Sequence, residues 1–384
     1  MNSGTQMIGI LKSLLCFALT AACVSCAPFP KSSEPPSSGL LRETREDARK
    51  NGSAVARDHL STSLVHLDAS HGAFEQRIWA TNADKAFTYP DAIWHLTANQ
   101  RARLGIYFSL GYGQLKGRSP QIIKAAAEEL GRRGFRARVI PAPEHGTTEE
   151  NAKAIASYVR ADSPNVDAVM FIGFSKGAAD IQEFLTSYGQ YFPKRDRAKF
   201  RIWVNFAGVL RGSCVADWLV HDNDPLIAVF RTYLSLQRAE PFQPPDGLHS
   251  IAHDPWRSTP APNLRSFAGH LRVINFPVLP DESSGYSHHA WQFRLLEAER
   301  PRRRLQTGPC DGVVEAAATV LPPEAGLPQW IVRVSGSHHV LDGRYLNGAI
   351  ISPGYAGGET ARLASGIPLM SDILRALPKS ALGL

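Results

Sequence analysis

A serine hydroxyl is a weak nucleophile at neutral pH, so a chain that uses one needs three things. These are a serine in a special backbone setting, a histidine to take its proton and an acid to orient that histidine. Ser175 sits in Gly-Phe-Ser-Lys-Gly at 173–177, between the apolar run 167–172 and a stretch with helical spacing at 176–188. A bare Gly-x-Ser-x-Gly match is weak, because glycine and serine are common; a strand before it and a helix after it supply the context that gives it meaning. In that context the turn pushes the hydroxyl clear of the backbone, and small flanking residues let strand and helix approach. Ala178 and Ala179 continue the small-residue packing. The candidate acid is Asp311, in Gly-Pro-Cys-Asp-Gly-Val-Val at 308–314. The candidate bases are His338 and His339, which follow the apolar run 331–334. His339 is favoured, because Val340 and Leu341 after it would anchor it.

The elements that must position these residues are legible as an alternation. Apolar runs at 104–110, 138–140, 167–172 and 200–206 predict buried strands. Helical spacing at 120–133, 149–160 and 176–188 predicts helices between them, the second opened by a capping box from Thr147 and Glu150. Further strands are expected at 271–276 and 330–334, and a closing amphipathic helix at 360–377. Strand and helix alternating in this way imply right-handed βαβ units and a largely parallel sheet, hence an α/β fold. Residues 216–265 break the rhythm with Pro, His and Trp, and read as an insertion that could cap the site, with one helix-like stretch at 226–236.

The serine turn, the Asp311 segment and the histidine pair, in that order, resemble the motifs of an α/β-hydrolase on the lipase and esterase side, over residues 100–345. The segment 206–217 is similar to the one that follows the next strand in lipases. The resemblance implies an acyl-enzyme mechanism on carboxylic esters with no cofactor, carried by Ser175, Asp311 and His339 or His338. It implies an oxyanion hole from the backbone N–H of Lys176 and that of Tyr112 or Gly113. The chain departs from its relatives in carrying Leu-Gly-Tyr-Gly-Gln at 110–114 where lipases commonly have His-Gly, and Cys310 where many have Asn. In such a fold Cys214 and Cys310 would both lie beyond one end of the sheet, so a disulfide between them is expected. Amide or polyester hydrolysis would use the same machinery. A non-catalytic envelope scaffold is the alternative of a different class; its side chains would not converge.

The N-terminus carries Lys12, an apolar stretch at 13–22 and small residues up to Cys26. That stretch is too short to cross a bilayer core of about 30 Å as a helix, and it reads as a signal peptide over residues 1–26. A cysteine at its end resembles a bacterial lipoprotein acceptor, with Cys23 and Cys26 the candidates. Residues 27–58 then read as a flexible tether and 59–384 as the hydrolase domain. The expected setting is an exported lipoprotein of the periplasm or outer membrane, or else a secreted protein, acting on small-molecule or lipid esters. The net charge of +7 and the basic run at Arg300, Arg302, Arg303 and Arg304 come with no nucleic-acid-binding motif, so nucleic acid is not an expected partner. The pair His288 and His289 lacks acidic or cysteine neighbours at ligand spacing, so no metal site is expected.

Overall fold

In parallel strands covered on both faces, successive side chains must be largely apolar, and the runs at 104–110, 167–172 and 200–206 have that character, whereas 138–140, at the sheet edge, opens on Arg138. The computed structural model describes residues 39–84, 86–112, 118–143, 145–221, 246–252, 262–280, 307–336, 338, 349–351, 360–362 and 366–383. The runs become β1 (Leu104–Ser109), β2 (Arg136–Val139), β3 (Ala168–Phe174) and β4 (Phe200–Phe206), joined by β5 (Arg272–Phe276). β6 (Val278–Pro280), β7 (Gln329–Ile331), β8 (Val334–Gly336), β9 (Ala349–Ile351) and β10 (Thr360–Arg362) are short. The main sheet runs β2-β1-β3-β4-β5-β7, and every pair in it is parallel. A smaller sheet, β10-β9-β8-β6, continues from it. Pro277 separates β5 from β6, and residues 332–333 separate β7 from β8; the backbone N–H of Val332 still reaches Asn275 and that of Val334 reaches Pro277.

Alternation along the strands divides the core. Ile106, Phe108, Met170, Ile172, Ile202, Val204 and Ile274 face α3 (Ala73–Ala83), α4 (Arg118–Arg132) and α8 (Gly366–Ala376). Tyr107, Val169, Phe171, Trp203 and Val273 face α5 (Thr148–Asp162) and α6 (Lys176–Glu183). The capping box that opens α5 is present: Glu150 N–H donates to Thr147 Oγ1 at 3.0 Å and Thr147 N–H to Glu150 Oε2 at 2.8 Å. A parallel sheet with helices on both faces and a sharp strand-to-helix turn after β3 is the α/β-hydrolase fold.

Three expectations need correction. Residues 39–58 are not a loose tether. They lie in α1 (Gly39–Asn51) and the first part of α2 (Ser53–Leu67), which bury Leu41, Ala48, Ala56, Leu60 and Leu64 at helical spacing. Charged residues on the outer faces of these helices masked that stripe. The C-terminal helix begins at Gly366, and residues 360–362 are an edge strand. The helix after Ser175 keeps α geometry only to Glu183 and widens into a π turn over Phe184–Tyr188. Of the insertion, α7 (Cys214–His221), residues 246–252 and residues from 262 onward are described, while the helix-like stretch at 226–236 lies outside the described residues. Cys23, Cys26, His288, His289 and the basic run at 300–304 also lie outside them. No helix among the described residues is long and apolar enough to cross a membrane.

Candidate active site

Ser175 occupies the turn between β3 and α6 with φ 50° and ψ −120°, a left-handed conformation that side chains rarely adopt. Its surroundings fix that geometry. Ser175 N–H donates to Phe206 O at 3.0 Å, and its carbonyl accepts from Ala178 N–H at 3.1 Å and Val209 N–H at 3.0 Å. The two flanking glycines are required by contact. A Cβ on Gly173 would stand 2.5 Å from Ala178 Cα, and one on Gly177 would stand 2.2 Å from the Ser109 carbonyl oxygen. Ser175 itself is half-buried.

Asp311 lies in a loop with little regular structure but many bonds. Its Oδ1 accepts from the backbone N–H of Val313 at 2.9 Å and of Val314 at 2.8 Å. Gly312 provides the positive φ, 101°, that folds the loop back onto the carboxylate. With Oδ1 occupied, Oδ2 points at His338 Nδ1, 2.8 Å away. The other ring nitrogen, Nε2, lies 2.9 Å from Ser175 Oγ. A carboxylate only accepts, so the proton belongs on Nδ1, and Nε2 is the acceptor for the serine hydroxyl. His338 N–H also donates to Asp311 O at 3.1 Å, joining the two loops through the backbone.

The ring between Ser175 and Asp311 is therefore that of His338. His339, the residue favoured from the sequence, lies outside the described residues. The register is set by the backbone bond from residue 338 to Asp311, a contact that an argument from Val340 and Leu341 does not contain. Lys176 opens α6, so its N–H belongs to the first turn, where no intrahelical acceptor exists. Tyr112 is partly buried, its ring 5.0 Å from that of His145, and Gly113 lies outside the described residues.

The expected Cys214–Cys310 bridge is not among the described contacts. Cys310 is fully buried and its backbone pairs with Glu315, while the side chain of Cys214 lies outside the description. Other bonds tie the acid loop at that point. Ser213 Oγ donates to Val313 O at 2.6 Å, and Glu315 receives Arg45 Nε at 3.0 Å. Beside this pair, burial and the like charge of Arg45 push the Arg211 guanidinium down to about 10. No group of three or more His, Cys, Asp or Glu suited to a metal occurs among the described residues.

Sequence reasoning used only the backbone of Lys176. Its side chain is buried and its ammonium lies 2.6 Å from Asp180 Oδ1, one helical turn on, while Asp180 Oδ2 accepts from Asn151 Nδ2 at 2.8 Å. The spacing Lys-x-x-x-Asp was a visible signal for that pair. Glu75 with Arg333 and Arg45 with Glu315 were missed, and separations of 258 and 270 residues left no local signal for either.

No family model and no curated protein matches the chain. Solved structures do. A metagenomic carboxyl esterase aligns at 16% identity over 79% of this chain and 90% of its own, with a TM-score of 0.48. A Bacillus licheniformis lipase in its mature form aligns at 15% identity over 62% of this chain and 85% of its own, with a TM-score of 0.43. A Legionella pneumophila phospholipase aligns at 16% identity over 56% of this chain and 45% of its own, with a TM-score of 0.35.

Proposed function

We propose that this chain is a serine hydrolase that cleaves carboxylic esters. The observation that supports the reading is the row Ser175 Oγ, His338 Nε2 and Nδ1, Asp311 Oδ2, with its two hydrogen bonds of 2.9 and 2.8 Å. In the proposed reaction His338 Nε2 takes the Ser175 proton as Oγ bonds to the ester carbonyl carbon. The imidazolium is held by Asp311, and the negative charge on the former carbonyl oxygen meets the N–H of Lys176 at the start of α6 and a second N–H from the Tyr112 and Gly113 segment. Collapse of the tetrahedral intermediate breaks the bond to the alcohol oxygen, which leaves with the proton from His338. Water, deprotonated by the same nitrogen, then attacks the acyl carbon and frees Ser175 with release of the acid. Export, with a lipid anchor on Cys23 or Cys26, belongs to the same proposal and is supported by the N-terminal pattern alone.

The test is labelling by a fluorophosphonate and turnover of a p-nitrophenyl ester series, wild type against Ser175→Ala. Both signals are expected in the wild type and absent in the variant, and the chain-length profile separates short-chain esters from lipids. A folded wild type that neither labels nor turns over any ester removes the proposal.

A further inference from the structure

Asp311 and His338 stand on segments with little structure of their own. The acid loop 307–315 contains no strand, and β8, which leads to His338, is three residues long. Each segment is instead tied to the N-terminal helices by a charged contact whose carboxylate is buried. On one side, Arg45 of α1 grips Glu315, with Nε 3.0 Å from Oε2 and Nη2 3.1 Å from Oε1. Glu315 pairs through its backbone with Cys310, the residue before Asp311. α1 also packs against the base of this loop, where a Cβ on Gly308 would stand 3.1 Å from Thr44 Cγ2.

On the other side, Glu75 of α3 is almost fully buried and takes three bonds from Arg333, the residue before β8. Its Oε1 accepts from Arg333 N–H at 2.7 Å and Nε at 3.0 Å, and its Oε2 from Nη2 at 2.8 Å. Arg333 Nη1 donates in turn to Ser61 Oγ of α2 at 3.0 Å. Asp68, in the turn after α2, accepts from Ile331 N–H at 3.2 Å. Burial, the largest influence, holds the Glu75 carboxyl above its usual range against the opposing bonds and charge of Arg333.

We propose that α1–α3 form a clamp that sets the distance between Asp311 and His338, with Arg45 and Glu75 as its positioning residues. The proposal rests on the serine hydrolase reading, because the distance it concerns is part of that machinery. A displacement of about 1 Å in such a row costs up to about a hundredfold in rate. Two ion pairs, Glu75–Arg333 buried and Arg45–Glu315 partly so, reach the two loops from the N-terminal helices and are suited to prevent it.

The experiment uses the full chain as wild type, Ser175→Ala, Arg45→Gln, Arg45→Lys and Glu75→Gln. Lys50→Gln serves as control; Lys50 lies on α1 and, among the described residues, pairs with Glu46 of the same helix. Fluorophosphonate labelling rate and kcat and KM on p-nitrophenyl acetate are measured below each variant's Tm. Arg45→Gln and Glu75→Gln are expected to label at least about tenfold more slowly, with the loss in kcat and not in KM. Arg45→Lys recovers part of the rate, and Lys50→Gln behaves as wild type. Folded variants that label at the wild-type rate with unchanged kcat, differing only in Tm, overturn the clamp. If Glu75→Gln does not fold, the two Arg45 variants decide it, since that side chain is partly open to solvent. A wild type that labels at Ser175 while the variants are unaffected removes the clamp alone; a wild type that does not label removes the hydrolase reading with it.

Discussion

Replacing Asp311 by Asn tests the proposed chemistry with almost no change in shape. The carboxylate uses one oxygen for two backbone N–H groups, of Val313 and Val314, and the other for His338 Nδ1. An asparagine has a single acceptor oxygen. If that oxygen keeps the two amides, its NH2 faces His338 Nδ1 and forces the imidazole proton onto Nε2. In that tautomer Nε2 cannot accept from Ser175 Oγ, 2.9 Å away, and the general base is lost. The reverse orientation points NH2 at two N–H donors within 3 Å, which leaves them unpaired in a buried loop and costs more. The first arrangement therefore holds, and the fold survives it. The expected loss in kcat is about ten-thousandfold, the size known for this substitution in serine proteases. That corresponds to about 5.5 kcal/mol of transition-state stabilisation. The assay is kcat on p-nitrophenyl butyrate at pH 7, with a circular dichroism melt to show that the variant is folded. A folded Asp311→Asn enzyme within tenfold of wild type would refute the role assigned to the Asp311–His338 bond.

Two further outcomes follow from the buried charges. Lys176→Met removes the cation from a carboxylate that has no exposed surface, and is expected to cost about 3–5 kcal/mol; Lys176→Met with Asp180→Leu should recover most of it. Denaturant midpoints check this, and a double variant no more stable than the single one would contradict it. Asp162 is the second case. Burial pulls its pKa up, but hydrogen bonds from Arg136, Tyr107 and Asn165 prevail and hold it at about 2. A lowered folded-state pKa adds stability above the unfolded value near 3.8 and loses it as pH falls towards 2. Asp162→Asn is expected to be less stable at pH 7 by about 1 kcal/mol after solvent screening, with the gap to wild type closing between about pH 4 and 2. A gap that stays constant over that range would show that the charge of Asp162 contributes nothing.

Local patterns carried much of the reading. The apolar runs at 104–110, 167–172 and 200–206 match β1, β3 and β4 to within a residue or two, because strands buried on both faces must be apolar throughout. The capping box at Thr147 and the glycines around Ser175 were legible for a similar reason: each is required by neighbours only a few residues away. Helices α1 and α2 were missed because their buried residues are sparse among charged ones, and helical stability there comes from what they pack against. The residues 332–333 break the expected strand 330–334 into β7 and β8, and the pull of Glu75 on Arg333 at that break has no local signature.

The sequence by itself determined the fold class, the serine turn and the acid candidate, since strand periodicity, glycine at crowded positions and a short loop motif are all properties of neighbouring residues. It left two histidines side by side, differing by one step along a loop. Only the tertiary structure places the His338 ring between Asp311 and Ser175, through contacts to an acid 27 residues away and a hydroxyl 163 residues away. Hydrogen bonds reach about 3 Å wherever chain folding brings the groups together, and sequence distance carries no information about that.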